Sequence, residues 1–180
     1  MKRTIFLSIF ILLFVCGRAQ KSNFFAQIGG GYYNGKGIQS NQLTGDGRSG
    51  GFGAEATVNA MSGDIVGLGV GMDLIKFNNA DHPFIPLFAD IKFIAPGKSR
   101  FYIMIDPGYC FYNYSSQGTT QSGGLYIASG IGIWFPSKTK QRLFLQVKYN
   151  FITINTSVVG YDSSTSGSIG VFSFLLGVKF

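Results

Sequence analysis

The feature that most constrains this chain is a period of two to which it keeps returning, stated most clearly at the carboxy-terminal end. Between Ser168 and Phe180 the residues Phe172, Phe174, Leu176, Val178 and Phe180 are apolar, while Ser173, Gly177 and Lys179 alternate with them and Leu175 is the exception. Residues two apart share one face of a strand, whereas a helix would scatter both sets around its axis. One face therefore suits hydrocarbon and the other a more polar interior. After Ala19 no run reaches the roughly 18 apolar residues of a membrane helix, so any crossing of a bilayer falls to strands.

The same alternation predicts seven further strands. Phe24, Ala26, Ile28 and Tyr32 mark the first, and Phe52, Ala54, Ala56, Val58 and Ala60 the second, opposite Gly53, Glu55, Thr57 and Asn59. Ser62, Gly63 and Asp64 form a tight turn into a third, where Val66, Leu68, Val70, Met72 and Leu74 alternate with Gly67, Gly69, Gly71 and Asp73. The fourth sets Ile85, Leu87, Ala89, Ile91 and Phe93 against Phe88, Asp90 and Lys92. The fifth runs from Phe101 to Phe111 with Tyr102, Met104, Asp106 and Cys110 on its second face, and Pro107 within it suggests a bulge. Leu125 to Trp134 and Leu143 to Phe151 supply the sixth and seventh. Asn34–Gly50, with five glycines, Tyr112–Gly123 and Thr153–Gly167 are predicted as long polar loops. Compact turns after even-numbered strands and mostly longer polar loops after odd-numbered ones are the asymmetry of an even-stranded antiparallel barrel. Each apolar set, tilted near 40°, spans a band of about 25 Å. Aromatic residues at strand ends form two expected girdles: Tyr32, Phe77, Phe84, Tyr109, Phe111, Tyr149 and Phe151 towards the loops, and Phe24, Phe93, Phe101, Phe135 and Phe180 towards the turns.

Composition narrows the compartment. Residues 1–19 combine Lys2 and Arg3, an apolar run from Ile5 to Val15, and small Gly17 and Ala19 before Gln20, the pattern of a cleaved signal peptide. The eleven residues of that run are too few for a spanning helix. With Lys2, Arg3 and Arg18 removed, 12 basic and 8 acidic residues remain, so the net charge falls from +7 to +4 and no basic cluster suggests nucleic acid. Only Cys110 survives maturation, so neither a disulfide nor a Cys/His metal spacing is expected. Residues 20–180 then form one domain: an all-β, eight-stranded, antiparallel, up-and-down transmembrane β-barrel.

The export signal, the eight alternating strands and terminal Phe180 resemble the small outer-membrane β-barrel domains, the OmpA/OmpX-like transmembrane barrels. The resemblance covers about the whole mature chain and implies residence in the outer membrane of a Gram-negative-type bacterium. It also implies outer-membrane lipids around the wall and the barrel assembly machinery as a partner during biogenesis. A secreted lipocalin-like barrel is the alternative architecture, and its parities would be reversed, with the apolar set inside and the charges outside.

Chemistry is sparse. The polar parity holds Glu55, Asp73, Asp90 and Asp106 with Lys92, Lys148 and Lys179, expected to be a structural network because an eight-stranded barrel is filled by its own side chains. Gly67, Gly69 and Gly71 are expected to make room for Phe88 and Glu55. His82 is the only imidazole, and a lipid-modifying enzyme would be built on it, since some small barrels of this kind modify lipid A. Asp81 is adjacent, but no His-x-Ser motif accompanies it. No catalytic, metal or cofactor residue is assigned, and the expected role is non-enzymatic: envelope structure, or contact with a protein or glycan through extracellular loops that carry Tyr112, Tyr114 and Tyr161.

Overall fold

The computed structural model describes residues 24–36, 48–78, 80, 82–96, 100–116, 118–137, 141–158 and 164–180. The export segment expected over 1–19, Asp81 and Tyr161 lie outside the described residues. Nine strands are present: β1 (Phe24–Lys36), β2 (Arg48–Ser62), β3 (Val66–Phe77), β4 (Ile85–Ile94), β5 (Phe101–Phe111), β6 (Asn113–Ser116), β7 (Thr119–Trp134), β8 (Arg142–Val158) and β9 (Ser164–Lys179). β6 continues β5 past Tyr112, so eight strands make the wall. Each is antiparallel to its neighbours, β1 pairs with both β2 and β9, and β5 pairs with β7 to close the ring.

Which parity faces outward is unambiguous. Phe24, Val70, Ile131 and Leu176 are exposed, whereas Glu55, Asp73, Asp90, Lys92, Asp106 and Lys148 are each no more than 2% exposed. An apolar exterior around a charged interior is the arrangement of a membrane barrel and the reverse of a soluble one, so the lipocalin-like alternative is set aside. Leu175, on the polar parity, is fully buried in the lumen.

The strands run further than hydrophobic alternation indicates. β1 and β2 pair up to Lys36 and Arg48. The expected loop Tyr112–Gly123 is largely the β6–β7 hairpin, turned through Gly118 at φ 78°, and the expected loop Thr153–Gly167 is largely paired β8 and β9. The bulge expected at Pro107 is found elsewhere. The β4–β5 register is the same on both sides of Pro107, so no residue is inserted there; the ladder only lapses between Phe88↔Gly108 and Ile91↔Ile105. The irregularity lies instead in β7, which carries one more residue than β8 between Gly123 and Tyr126, and this reverses the parity of the strand beyond it.

The girdles need one correction. Tyr32, Tyr109, Phe111, Tyr149 and Phe151 ring the loop end as expected, joined by Phe52 and Phe172, and Phe24, Phe93, Phe101, Phe135 and Phe180 ring the turn end, but Phe77 and Phe84 are buried inside. Phe77 has the same parity as Asp73 and Ile75, which places it in the lumen.

Because Ala56 faces outward midway along β2, Ala56→Arg is expected to destabilise the barrel by about 2–4 kcal/mol, the cost of a guanidinium at the bilayer midplane. Guanidinium unfolding in phospholipid vesicles measures it, with Ala56→Leu as an unaffected control. A shift no larger than the control's would contradict a lipid-facing Ala56.

Candidate functional site: the filled lumen

The interior is the place where the chain gathers its ionisable side chains, and hydrogen bonds lace them across the barrel. Lys148 on β8 is central. Its Nζ bonds Asp106 Oδ2 of β5 at 2.9 Å and forms a second ion pair with Glu55 of β2, so one ammonium ties three strands that are not neighbours. Gln146 Nε2 donates to Glu55 Oε1 at 3.0 Å and its carbonyl accepts from Tyr102 Oη at 2.7 Å. Tyr126 Oη lies 3.2 Å from Asp73 Oδ2 and 3.0 Å from Asn150 Oδ1, with one proton to share between them. Asn150 Nδ2 in turn donates to the Val171 carbonyl at 3.1 Å and to Ser173 Oγ at 3.0 Å. A second cluster joins Lys92 to Asp90, which also accepts from Asn59 Nδ2 at 3.0 Å.

Aromatic and aliphatic layers close the lumen on either side of this polar belt. At the loop end Phe84 stacks on Tyr112 with centroids 4.2 Å apart and meets Phe77 edge-on at 5.5 Å, among Ile75, Ile152 and Ile169. At the turn end Trp134 stacks on Tyr102 at 4.6 Å and meets Phe25 edge-on at 5.8 Å. Lys179 does not join the acids as expected; its Nζ lies 4.0 Å from the Phe25 ring centroid and 3.7 Å from that of Trp134, a cation held by ring faces.

Glycines make the filling possible where a ring lies flat against the wall. A Cβ on Gly132 would fall on the Tyr102 ring, and one on Gly71 would meet Phe88 and, at 2.8 Å, Thr57. Room for Phe88 is as expected. Room for Glu55 is not: Gly67 and Gly69 face Lys92, Met61 and Asn59 instead.

Of the sequence candidates, the lumen brings together Glu55, Asp106 and Lys148 in one group and Asp90 with Lys92 in another. Asp73, which faces Glu55 across the β2–β3 register, is met by a phenol rather than a lysine. His82 stands apart from both, exposed at the loop end with its ring 6.0 Å from that of Tyr114. Tyr112, expected as a contact residue in a loop, is buried against Phe84, and Tyr114 is half-buried. The amides and phenols that complete the network, Gln146, Asn150, Tyr102 and Tyr126, share the inward parity with the acids. That parity was the available signal, but it does not say which of them meet.

Removing the ammonium with Lys148→Met leaves Glu55 and Asp106 buried without their cation. The expected loss is about 3–5 kcal/mol, largely recovered when Glu55→Gln and Asp106→Asn are added, because breaking a buried pair costs far more than replacing all of it. Urea unfolding of the barrel in detergent micelles reads both values; a loss below about 1 kcal/mol for the single change would mean that water reaches these carboxylates.

No protein-family model and no curated protein matches the chain. Among solved structures it is similar to the outer membrane protein AlkL, determined in DMPC lipid bilayers, with a TM-score of 0.62 at 11% identity over 88% of this chain and 89% of that one. It is also similar to Neisserial surface protein A, with a TM-score of 0.54 at 16% identity over 87% of this chain and 95% of that one. At such identities the likeness is one of fold.

Proposed function

We propose that this small outer-membrane β-barrel is a non-enzymatic membrane-anchored scaffold, whose work is done by the part of the wall that rises beyond the lipid while its lumen serves only to hold the wall together. The observation that carries the reading is the crossed and capped interior. Lys148 bridges Glu55 and Asp106 across the barrel, and aromatic stacks close it at both ends. A bore so filled leaves no aqueous path, unlike the wider barrels of porins. The wall then contributes to envelope integrity, and contact with a protein or glycan falls to its extracellular end.

Planar-bilayer recording tests the filled interior. The pure protein is expected to give no large, steady conductance, and reproducible nanosiemens-scale openings would overturn the reading.

The enzymatic alternative rests on His82. Nucleophilic chemistry needs a hydroxyl or thiol within hydrogen-bond reach of the imidazole and a group that orients it. Among the described residues the His82 ring meets that of Tyr114, which supplies neither the serine nor the acid. Mass spectra of lipid A from cells carrying the protein are therefore expected to be the same for His82→Ala as for the unmodified chain. An acyl-chain change that disappears with the imidazole would put the enzyme first.

A further inference from the structure

Beyond the loop-end girdle the wall continues on one side as a four-stranded sheet made of β6 and the outer parts of β7, β8 and β9. The cross-strand register orders its outward face. Asn113, Ser122, Asn155 and Ser166 are successive partners and form one row across the four strands. Ser115, Thr120, Ser157 and Ser164 form the next. Row members sit about 4.8 Å apart and the two rows about 7 Å apart along the strands. The extra residue in β7 near Gly123 brings Thr120 and Ser122 to this face, since the outward parity of β7 nearer the turn end is that of Leu125 and Ile127.

All eight positions carry a hydroxyl or a carboxamide. The segments 113–122, 153–158 and 164–168 contain no charged residue, and neither row holds an aromatic side chain or an arginine. Such a face is a poor match for phosphate, which is recognised by Arg and Lys, and for a protein partner, whose binding centres on aromatic and Arg anchors. It suits a ligand that is itself an array of neutral donors and acceptors. Hydroxyls and amides each offer both functions, so those already bonded within the sheet, such as Ser166 Oγ to Asn155 Oδ1 at 2.9 Å, keep capacity for another partner.

Position identifies the source of the ligand. Asn155 follows Phe151 of the girdle by four residues on the same outward face, which at barrel tilt is about 10 Å above the hydrocarbon edge. What lies beside the wall at that height is the headgroup layer of the surrounding lipids. We infer that this outward face binds the neutral saccharide of outer-leaflet glycolipids, continuing into the headgroup layer the contact that the wall makes with acyl chains.

The inference rests on the reading of the extracellular end as the interaction surface, and it is tested with the full-length barrel refolded into vesicles. The vesicles hold equal amounts of dihexosyl-diacylglycerol and phosphatidylcholine with matched acyl chains, and lipids retained after detergent extraction are counted by native mass spectrometry. The expected result is at least a threefold enrichment of the dihexosyl lipid, falling to parity in a Thr120→Val, Ser122→Ala, Ser157→Ala variant. Heat-shifted gel migration verifies folding, and Ser122→Ala with Asn155→Ala decides the matter if the triple variant does not fold. Equal retention of both lipids by the unmodified protein, or undiminished enrichment in a folded variant, overturns the inference. Free maltose bound as tightly in calorimetry as the lipid-borne sugar would overturn its lipid source. Any of these outcomes with a non-conducting lumen leaves the filled-scaffold reading standing.

Discussion

A bilayer interior offers no water to an unpaired peptide group, and every feature of this molecule sits downstream of that shortage. A strand in lipid must have both edges bonded, so the pairing of β5 with β7 and of β1 with β9 is the condition for the remaining strands to exist where they do. Closure in turn makes the two faces unlike. The outer one is solvated by acyl chains and carries Val70, Ile131 and Leu176; the inner one is solvated by whatever the chain itself provides.

That second task explains the lumen. Eight strands enclose too little space for bulk water and too much for short side chains, so the interior is filled by rings and long polar chains that reach across it. Charges placed there need partners: Lys92 finds Asp90 on its own strand, and Lys148 finds two across the barrel on β2 and β5. The same bonds that remove the desolvation penalty also cross-link strands remote in the ladder. Phe88 and Tyr102 lie against Gly71 and Gly132, where the wall has no side chain to resist them. Stability and the filling of the lumen thus have a common origin.

Where the wall rises above the lipid the constraint relaxes, and the composition changes with it. Between Asn113 and Ser122, and again through Asn155 and Ser166, hydroxyls and amides take the outward positions that Val, Ile and Phe hold below, while the backbone ladder continues without a break in β8 and β9. Just below these rows the inward positions are apolar in Ile152, Ile154 and Ile169, which cap the lumen, whereas Thr119 and Gln121 beside the rows are buried and polar. One sheet therefore changes its outward face from apolar side chains to hydroxyls and amides, with the extra residue near Gly123 turning Thr120 and Ser122 outward in β7.

The alternation of residues such as Phe172, Phe174 and Leu176 determined by itself that the chain is a barrel and that Glu55, Asp73, Asp90, Asp106, Lys92 and Lys148 lie opposite the apolar set, while burial in the folded ring decided against the reversed parities of a soluble barrel. Lipid selects one face so strongly that a period of two survives in the sequence. The same reading failed for β6 and the outer parts of β7, β8 and β9, because outside lipid no such selection acts and a paired strand of serines looks like a loop. It misplaced Phe77 and Phe84, whose aromatic character suggested a girdle although the parity of Phe77 with Asp73 pointed inward. Only the tertiary structure decided that Lys148 rather than Lys179 meets the acids, that Tyr126 rather than a lysine meets Asp73, and that Asn113, Ser122, Asn155 and Ser166 form one row. Each of these depends on strand register and tilt around a closed ring, which bring together residues as remote in sequence as Gln146 and Glu55, 91 positions apart, and no local pattern in a single strand records which partner another strand will present.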